Sequence, residues 1–333
     1  MRIGFLGVGR IGSSHAEVVR RHPDVDSLVL ADAVPGRAAE AAQRLGCESA
    51  ADVDQIIASG VDALVIASVT DSHADLIVAG AGAGLPVFCE KPVALDVAET
   101  RRVAEEVHRA GVQVQIGFQR RFDSGYGTAR LALQDGKVGD LHRVHVVTGD
   151  EKPPHASYIP TSGGLYRDCH IHDFDILRWV TGREVVDVTA FGTNRGADFF
   201  REGNDVDNSA AVLRLDDDTL VTLQGSRYNG AGHDVRMELA GTKATYVVGL
   251  SDRTPMMSAE QDVTFPGAEP WPNFWVRFTP AYVAEMNAFM EVAKGDAPSP
   301  CTVEDALAAL YVAEAADLSM RQGRRVEVEE VAK

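Results

Sequence analysis

Through the first third of the chain, short unbroken apolar blocks alternate with longer stretches whose apolar positions recur at helical spacing. The blocks predict strands over residues 2–6, 27–31, 63–67, 86–89 and 113–117, with helices near 11–21, 36–45, 72–83 and 96–110. A strand that is apolar at every position is buried on both faces, which is the condition of a parallel sheet covered by crossover helices. Beyond residue 120 the texture changes. A helix near 125–136 precedes an alternating strand over 141–148, and a helix is predicted over 163–180. Strands then follow at short spacing, near 185–194, 208–215, 219–226, 235–240 and 244–249, with Asp216-Asp217-Asp218 as a hairpin turn. Successive strands at that spacing predict an open, largely antiparallel sheet. Helices near 279–293 and 303–321 and a short strand over 325–328 close the chain, and the Pro- and Trp-containing stretch 266–275 reads as an ordered loop.

The turn after the first strand adds chemistry. Gly7-Val8-Gly9-Arg10-Ile11-Gly12 has the spacing of a dinucleotide fingerprint and stands between a strand and a helix, as that fingerprint requires. Gly7 permits the tight turn, Gly9 lets backbone approach a pyrophosphate, and Gly12 lets helix and strand pack closely. The helix N-terminus, opened by Arg10 and Ile11, offers free N–H groups to the phosphates. Asp32 closes the second strand twenty residues beyond Gly12, where a carboxylate accepts from ribose hydroxyls and repels a 2′-phosphate. Arg37 reads as a solvated helix residue, so the expected cofactor is NAD, with NADP less favoured. The expected fold class is therefore α/β: an N-terminal Rossmann dinucleotide-binding domain over 1–120, and a C-terminal α/β domain over 121–333 for substrate binding and oligomerisation.

Charge narrows the partners. The 32 basic and 49 acidic residues leave a formal charge of −17, spread along the chain, which disfavours nucleic acid and anionic membranes. No apolar run approaches a membrane span and no leader pattern precedes the first strand, so a cytoplasmic protein is expected. Four scattered cysteines without a C-x-x-C pair fit reduced thiols.

Two further clusters carry candidate chemistry. Lys91, in Glu90-Lys91-Pro92, follows a parallel strand, and ligands of doubly wound sheets bind outside the strands' carboxyl ends. An ammonium there can donate to a substrate oxygen and favour its alkoxide. In Gly163-Gly164-Leu165-Tyr166-Arg167-Asp168-Cys169-His170-Ile171-His172-Asp173-Phe174-Asp175, steps of four and three put Asp168, His172 and Asp175 on one face of the predicted helix. A carboxylate one turn before an imidazole can orient a general base. Cys169 reads as packing, and Arg120 as the partner of an acid. His170 and His172 would project about 200° apart on a helix, so no metal is expected.

These motifs, with the Gln115–Asp123 run and a Phe274-x-x-Arg277-Phe278 element, occur in the order and spacing of the Gfo/Idh/MocA oxidoreductases, and the whole chain resembles the inositol 2-dehydrogenase-like branch of that family. The resemblance implies a catalytic group of Lys91, Asp168 and His172, cofactor positions at Ser68, His73 and Glu90, and substrate contacts from Arg121 and Asp175. It also implies a dimer or tetramer formed through the C-terminal sheet. His233 stands where inositol dehydrogenases usually carry a tyrosine, and the 150–155 loop lacks their usual arginine pattern. The expected activity is therefore NAD-dependent oxidation of a secondary hydroxyl of myo-inositol, a related cyclitol or another sugar. Aldose or amino- and keto-sugar chemistry, and an NAD-binding sensor without turnover, are the alternatives.

Overall fold

The structure, a computed structural model, describes residues 1–333. Its first sheet uses β1 (Arg2–Leu6), β2 (Ser27–Ala31), β3 (Glu48–Ser49), β4 (Ala63–Ile66), β5 (Val87–Glu90) and β6 (Val114–Gly117), in the order β3-β2-β1-β4-β5-β6. Every pair is parallel. The crossovers carry α1 (Arg10–Arg20), α2 (Arg37–Leu45), α3 (Val53–Ala58), α4 (His73–Gly82) and α5 (Val97–Ala110). All four residues of β4 are buried, as its unbroken apolar run requires. Asp52 and Asp96 cap α3 and α5 by accepting from Gln55 and Glu99 backbone N–H groups. Strand order reverses beside β1, whose neighbours are β2 and β4, so the glycine turn leaves the sheet at its topological switch point.

The second part contains α6 (Ser124–Gln134), β7 (Leu141–Gly149), α7 (Leu165–Asp168), α8 (Ile171–Thr181), β8 (Val185–Thr193), α9 (Phe199–Glu202), β9 (Asn208–Leu215), β10 (Leu220–Ser226), β11 (Asp234–Gly241) and β12 (Thr245–Val248). It ends with α10 (Phe274–Lys294), α11 (Val303–Gln322), β13 (Val326–Glu327) and α12 (Val328–Val331). The seven-stranded sheet runs β12-β11-β7-β10-β9-β8-β13, antiparallel except for β7 against β10. Burial alternates along β9, and Asp218 takes a left-handed backbone in the β9–β10 turn.

Two compact units emerge, residues 1–119 with 281–308, and residues 120–280 with 309–333. The hydrophobic pattern leaves 281–308 with the second domain. Met286, Phe289, Met290 and Val292 instead join the core formed by Ile3, Phe5, Leu28 and Phe88. Inter-element packing of this kind has no sequence periodicity.

One expected element is broken. The helix predicted over 163–180 is a single turn, α7, followed by α8, with Cys169 and His170 at the junction. His170 is drawn into a buried network: its Nδ1 lies 2.7 Å from Asp173 Oδ2 and its Nε2 2.6 Å from Ser209 Oγ. It passes so near β10 that a Cβ on Gly225 would lie 2.3 Å from its ring. Asp168 therefore ends one helix while His172 lies in the first turn of another, so only His172 and Asp175 share a helix face.

Candidate active site

The cofactor turn is built by close approach. Gly7 has φ +91, its N–H donates to Ala31 O at 2.9 Å, and a Cβ there would lie 2.5 Å from the Ser68 backbone. A Cβ on Gly12 would lie 2.0 Å from Gly7 O. Gly9 differs, because the space where its Cβ would stand is open and α1 begins there without a side-chain cap. Open space over uncapped helix N–H groups fits a pyrophosphate.

Asp32, nearly buried, accepts from Val8 N–H and Val34 N–H, each at 2.8 Å. Two bonds leave lone pairs on its oxygens for ribose hydroxyls. Arg37 is not simply solvated: its Nη1 lies 3.3 Å from Asp32 Oδ1, since α2 starts directly after the turn that Asp32 closes. Asp32→Ala is expected to weaken NAD about tenfold, the loss of a charge-assisted bond, and to narrow the preference over NADP because Arg37 is released toward a 2′-phosphate. Fluorescence titration with both nucleotides reads this. Unchanged NAD affinity would remove Asp32 from the cofactor site.

At the end of β5, Glu90 Oε1 lies 2.6 Å from Nε2 of the buried His15. His15 sits against Phe88 and Tyr282 at ring-centroid distances of 5.6 and 5.8 Å. No motif marks it. It is a turn further along α1 than Gly12, facing the sheet. His73 is buried with Nδ1 2.7 Å from Pro92 O and Nε2 3.2 Å from Ser68 O, so it links the chain segments after β4 and β5. Burial pushes His73 below its ordinary pKa, against the raising effect of its two carbonyl partners and Glu90. The fold thus prefers the neutral ring, and its contribution is complete above the unfolded value of about 6.5 and lost as pH falls through the lower folded value. In His73→Asn that acid-side loss should flatten, as urea unfolding at about pH 7.5 and 5.5 would report.

The second unit carries a denser polar cluster. Asp168 accepts from Tyr158 Oη at 2.8 Å and from Arg227 Nη2 at 2.6 Å. Arg227 Nη1 lies 2.7 Å from Cys169 Sγ and 3.4 Å from Asp150 Oδ2, so Cys169 is a polar contact as well as a packed side chain. Asp150 Oδ1 in turn lies 3.4 Å from His233 Nδ1. Burial would raise the Asp150 pKa, but His233 and Arg227 overcome it and hold the carboxyl below its ordinary value. His233 is 4% exposed, its ring packs edgewise near Phe274 and Phe278, and its Nε2 is buried without a hydrogen-bond partner. A buried polar atom in that condition fits a position completed by ligand.

Arg121 and Asp175 grip each other, Nε to Oδ2 at 2.9 Å and Nη2 to Oδ1 at 2.5 Å, with both side chains nearly or fully buried. Arg120 pairs with Asp173, as its expected acid partner, and Thr148 Oγ1 donates to the same carboxylate at 2.8 Å. Burial raises the Asp173 pKa, yet Arg120 and His170 outweigh it and keep the group below the ordinary range. Arg227, Asp150 and Tyr158 carry no sequence signal. Arg227 and Asp150 lie just past strand ends and Tyr158 in a short 3-10 helix, where neither spacing nor motif singles them out.

The family model "Oxidoreductase family, NAD-binding Rossmann fold" matches residues 1–118, and the "GFO/IDH/MocA C-terminal domain" model matches residues 126–247. The chain is 34% identical to myo-inositol 2-dehydrogenase of Thermotoga maritima, covering 99% of both proteins. Its structure resembles a probable dehydrogenase from Thermotoga maritima with a TM-score of 0.93 at 33% identity, covering 99% of this chain and 100% of that one. It also resembles scyllo-inositol dehydrogenase of Lactobacillus casei with bound NAD(H) and scyllo-inositol, with a TM-score of 0.88 at 28% identity over 99% of both.

Proposed function

Because the chain belongs to the GFO/IDH/MocA family of NAD-binding oxidoreductases, we propose that it oxidises a secondary hydroxyl of a cyclitol, myo-inositol or a stereoisomer, to the ketone, reversibly. The observation that carries this reading is end-to-end similarity to dehydrogenases named for two inositol stereoisomers, in a chain that carries Lys91, Asp168 and His172.

NAD, when bound, supplies the hydride acceptor. Gly7, Gly9, Arg10, Ile11, Gly12 and Asp32 would hold it, together with Ser68, His73, Glu90 and Lys91. His172 takes the hydroxyl proton as general base. Asp168, paired with Arg227, orients that imidazole and stabilises its charged form. Lys91 donates to the reacting oxygen and favours alkoxide character. The same groups return the proton in the reducing direction. Arg121, Asp175 and His233 select the hydroxyl pattern, since hydroxyl-rich ligands require paired polar partners.

Two observations shape the finer reading. His233 carries an unpartnered imidazole nitrogen where the family resemblance implies a tyrosine hydroxyl, which favours a cyclitol other than myo-inositol, an aldose or an amino sugar as a second candidate. On the sheet, the register brings Phe191 beside Ala210, Thr222 beside Val212, and Leu220 beside Arg214 on one face. Phe191 is 63% and Leu220 54% exposed, an apolar surface that supports a homo-oligomer, dimer or tetramer, measurable by light scattering. No helix is long and apolar enough to cross a membrane, and the four cysteines are free, as a reducing cytoplasmic setting would keep them.

Nicotinamide absorbance followed with NAD and a panel of inositols, aldoses and amino sugars tests the reading. Turnover is expected on at least one inositol. NAD binding without reduction on any member of the panel would favour the sensor.

A further inference from the structure

We propose that Arg227 is the positioning residue of this site, one buried guanidinium that fixes both the acid behind the base and the side chain that selects substrate. The inference rests on the roles just assigned to Asp168, His172 and His233. Arg227 is 3% exposed and its N–H donates to Asp207 O at 2.8 Å, which anchors the residue directly after β10. Its two terminal nitrogens diverge. Nη2 takes Asp168 at 2.6 Å, while Nη1 faces Cys169 Sγ at 2.7 Å and Asp150 at 3.4 Å. Asp150 is itself fixed by backbone on both sides, its N–H donating to Ser226 O at 2.9 Å and its carbonyl accepting from Asn229 N–H at 2.7 Å. From there the chain of contacts reaches His233 Nδ1 at 3.4 Å.

The shape of the guanidinium is what this arrangement uses. Its planar fork holds two acceptors at a fixed separation, whereas a lysine ammonium is a single point charge on a flexible stem. Arg227 therefore does two jobs that lysine cannot do together. Asp168 is held at one oxygen by Arg227 and at the other by Tyr158, so its orientation toward the base is set from outside the helix that carries it. Asp150 is held so that His233 keeps its Nε2 directed to a ligand.

Steady-state kinetics of Arg227→Lys and Asp150→Asn, with NAD and the best inositol from the panel, tests the proposal. Arg227→Lys should lose about 100-fold in kcat through misplacement of the base's partner and also raise KM, with NAD affinity unchanged. Asp150→Asn, which alters the link from Arg227 Nη1 to His233 and leaves the Nη2 bond to Asp168 in place, should raise KM roughly tenfold and leave kcat within about threefold. A purely structural role would lower the active fraction and leave KM untouched in both. Wild-type kcat and KM in a folded Arg227→Lys overturns the proposal. If that variant does not fold, Asp150→Asn decides alone: a raised KM sustains the proposal and a wild-type KM overturns it. Failure of the underlying reading is separable, because His172→Ala would then retain turnover whatever Arg227→Lys does.

Discussion

His172→Ala is expected to lower kcat by about 10²- to 10⁴-fold while NAD binds as in the wild type. The residue lies in the first turn of α8, whereas the glycine turn and Asp32 belong to the other compact unit. On the proposed mechanism the variant lacks the group that takes the hydroxyl proton as the carbon–hydrogen bond gives up its hydride. Water can replace a base poorly, so residual turnover should rise with pH as the substrate hydroxyl becomes easier to ionise. Calorimetric titration of NAD and turnover at saturating cyclitol check both halves. Full turnover in a folded variant would show that the proton leaves by another route.

Asp173→Ala should be the most destabilising single change in this part of the molecule, by about 3–5 kcal/mol, because it leaves a buried guanidinium without its counter-charge. Arg120 and Asp173 are essentially excluded from solvent, and the same carboxylate also holds His170 and Thr148. At roughly 2–4 °C per kcal/mol for a unit of this size, the melting transition should fall by on the order of 10 °C. Arg120→Met combined with Asp173→Leu should be more stable than Asp173→Ala, since removing both charges avoids the uncompensated one. A loss below about 1 kcal/mol in the single variant would show that water reaches the pair. The sign with pH follows from the depressed Asp173 pKa. The stabilisation is complete above the unfolded value of about 3.9 and disappears as pH falls through the folded one. The last residue of the motif Asp168-x3-His172-Asp173 thus serves the fold.

Much of the first sheet is legible in the amino-acid pattern because its strands are buried on both faces and read as unbroken apolar runs. The exceptions are instructive. β3 is two exposed residues paired only to Val29 and Leu30, and α3 is six residues long, so neither carries a period to detect. The break between α7 and α8 is a tertiary effect, with His170 bound to Ser209 and Asp173 and seated against Gly225. The candidate site was readable where motifs concentrate it, at Gly7–Gly12, Asp32, Lys91 and Asp168–His172. Arg227, Asp150 and His15 were not, because each acts through a partner 58 or more residues away or in an irregular segment, as with Arg227 and Cys169. Arg37 misled for a related reason: its pairing with Asp32 depends on the turn that starts α2, not on helical spacing.

The most direct measurement uses an inositol deuterated at its carbinol carbons, incubated with the protein and NAD, with the nicotinamide then analysed by NMR and the sugar by mass spectrometry. One deuterium at nicotinamide C4 for each ketone formed is the predicted result. Ketone or any other product formed with the label released to water, or NAD recovered unlabelled and unreduced with every inositol, would contradict a cyclitol dehydrogenase.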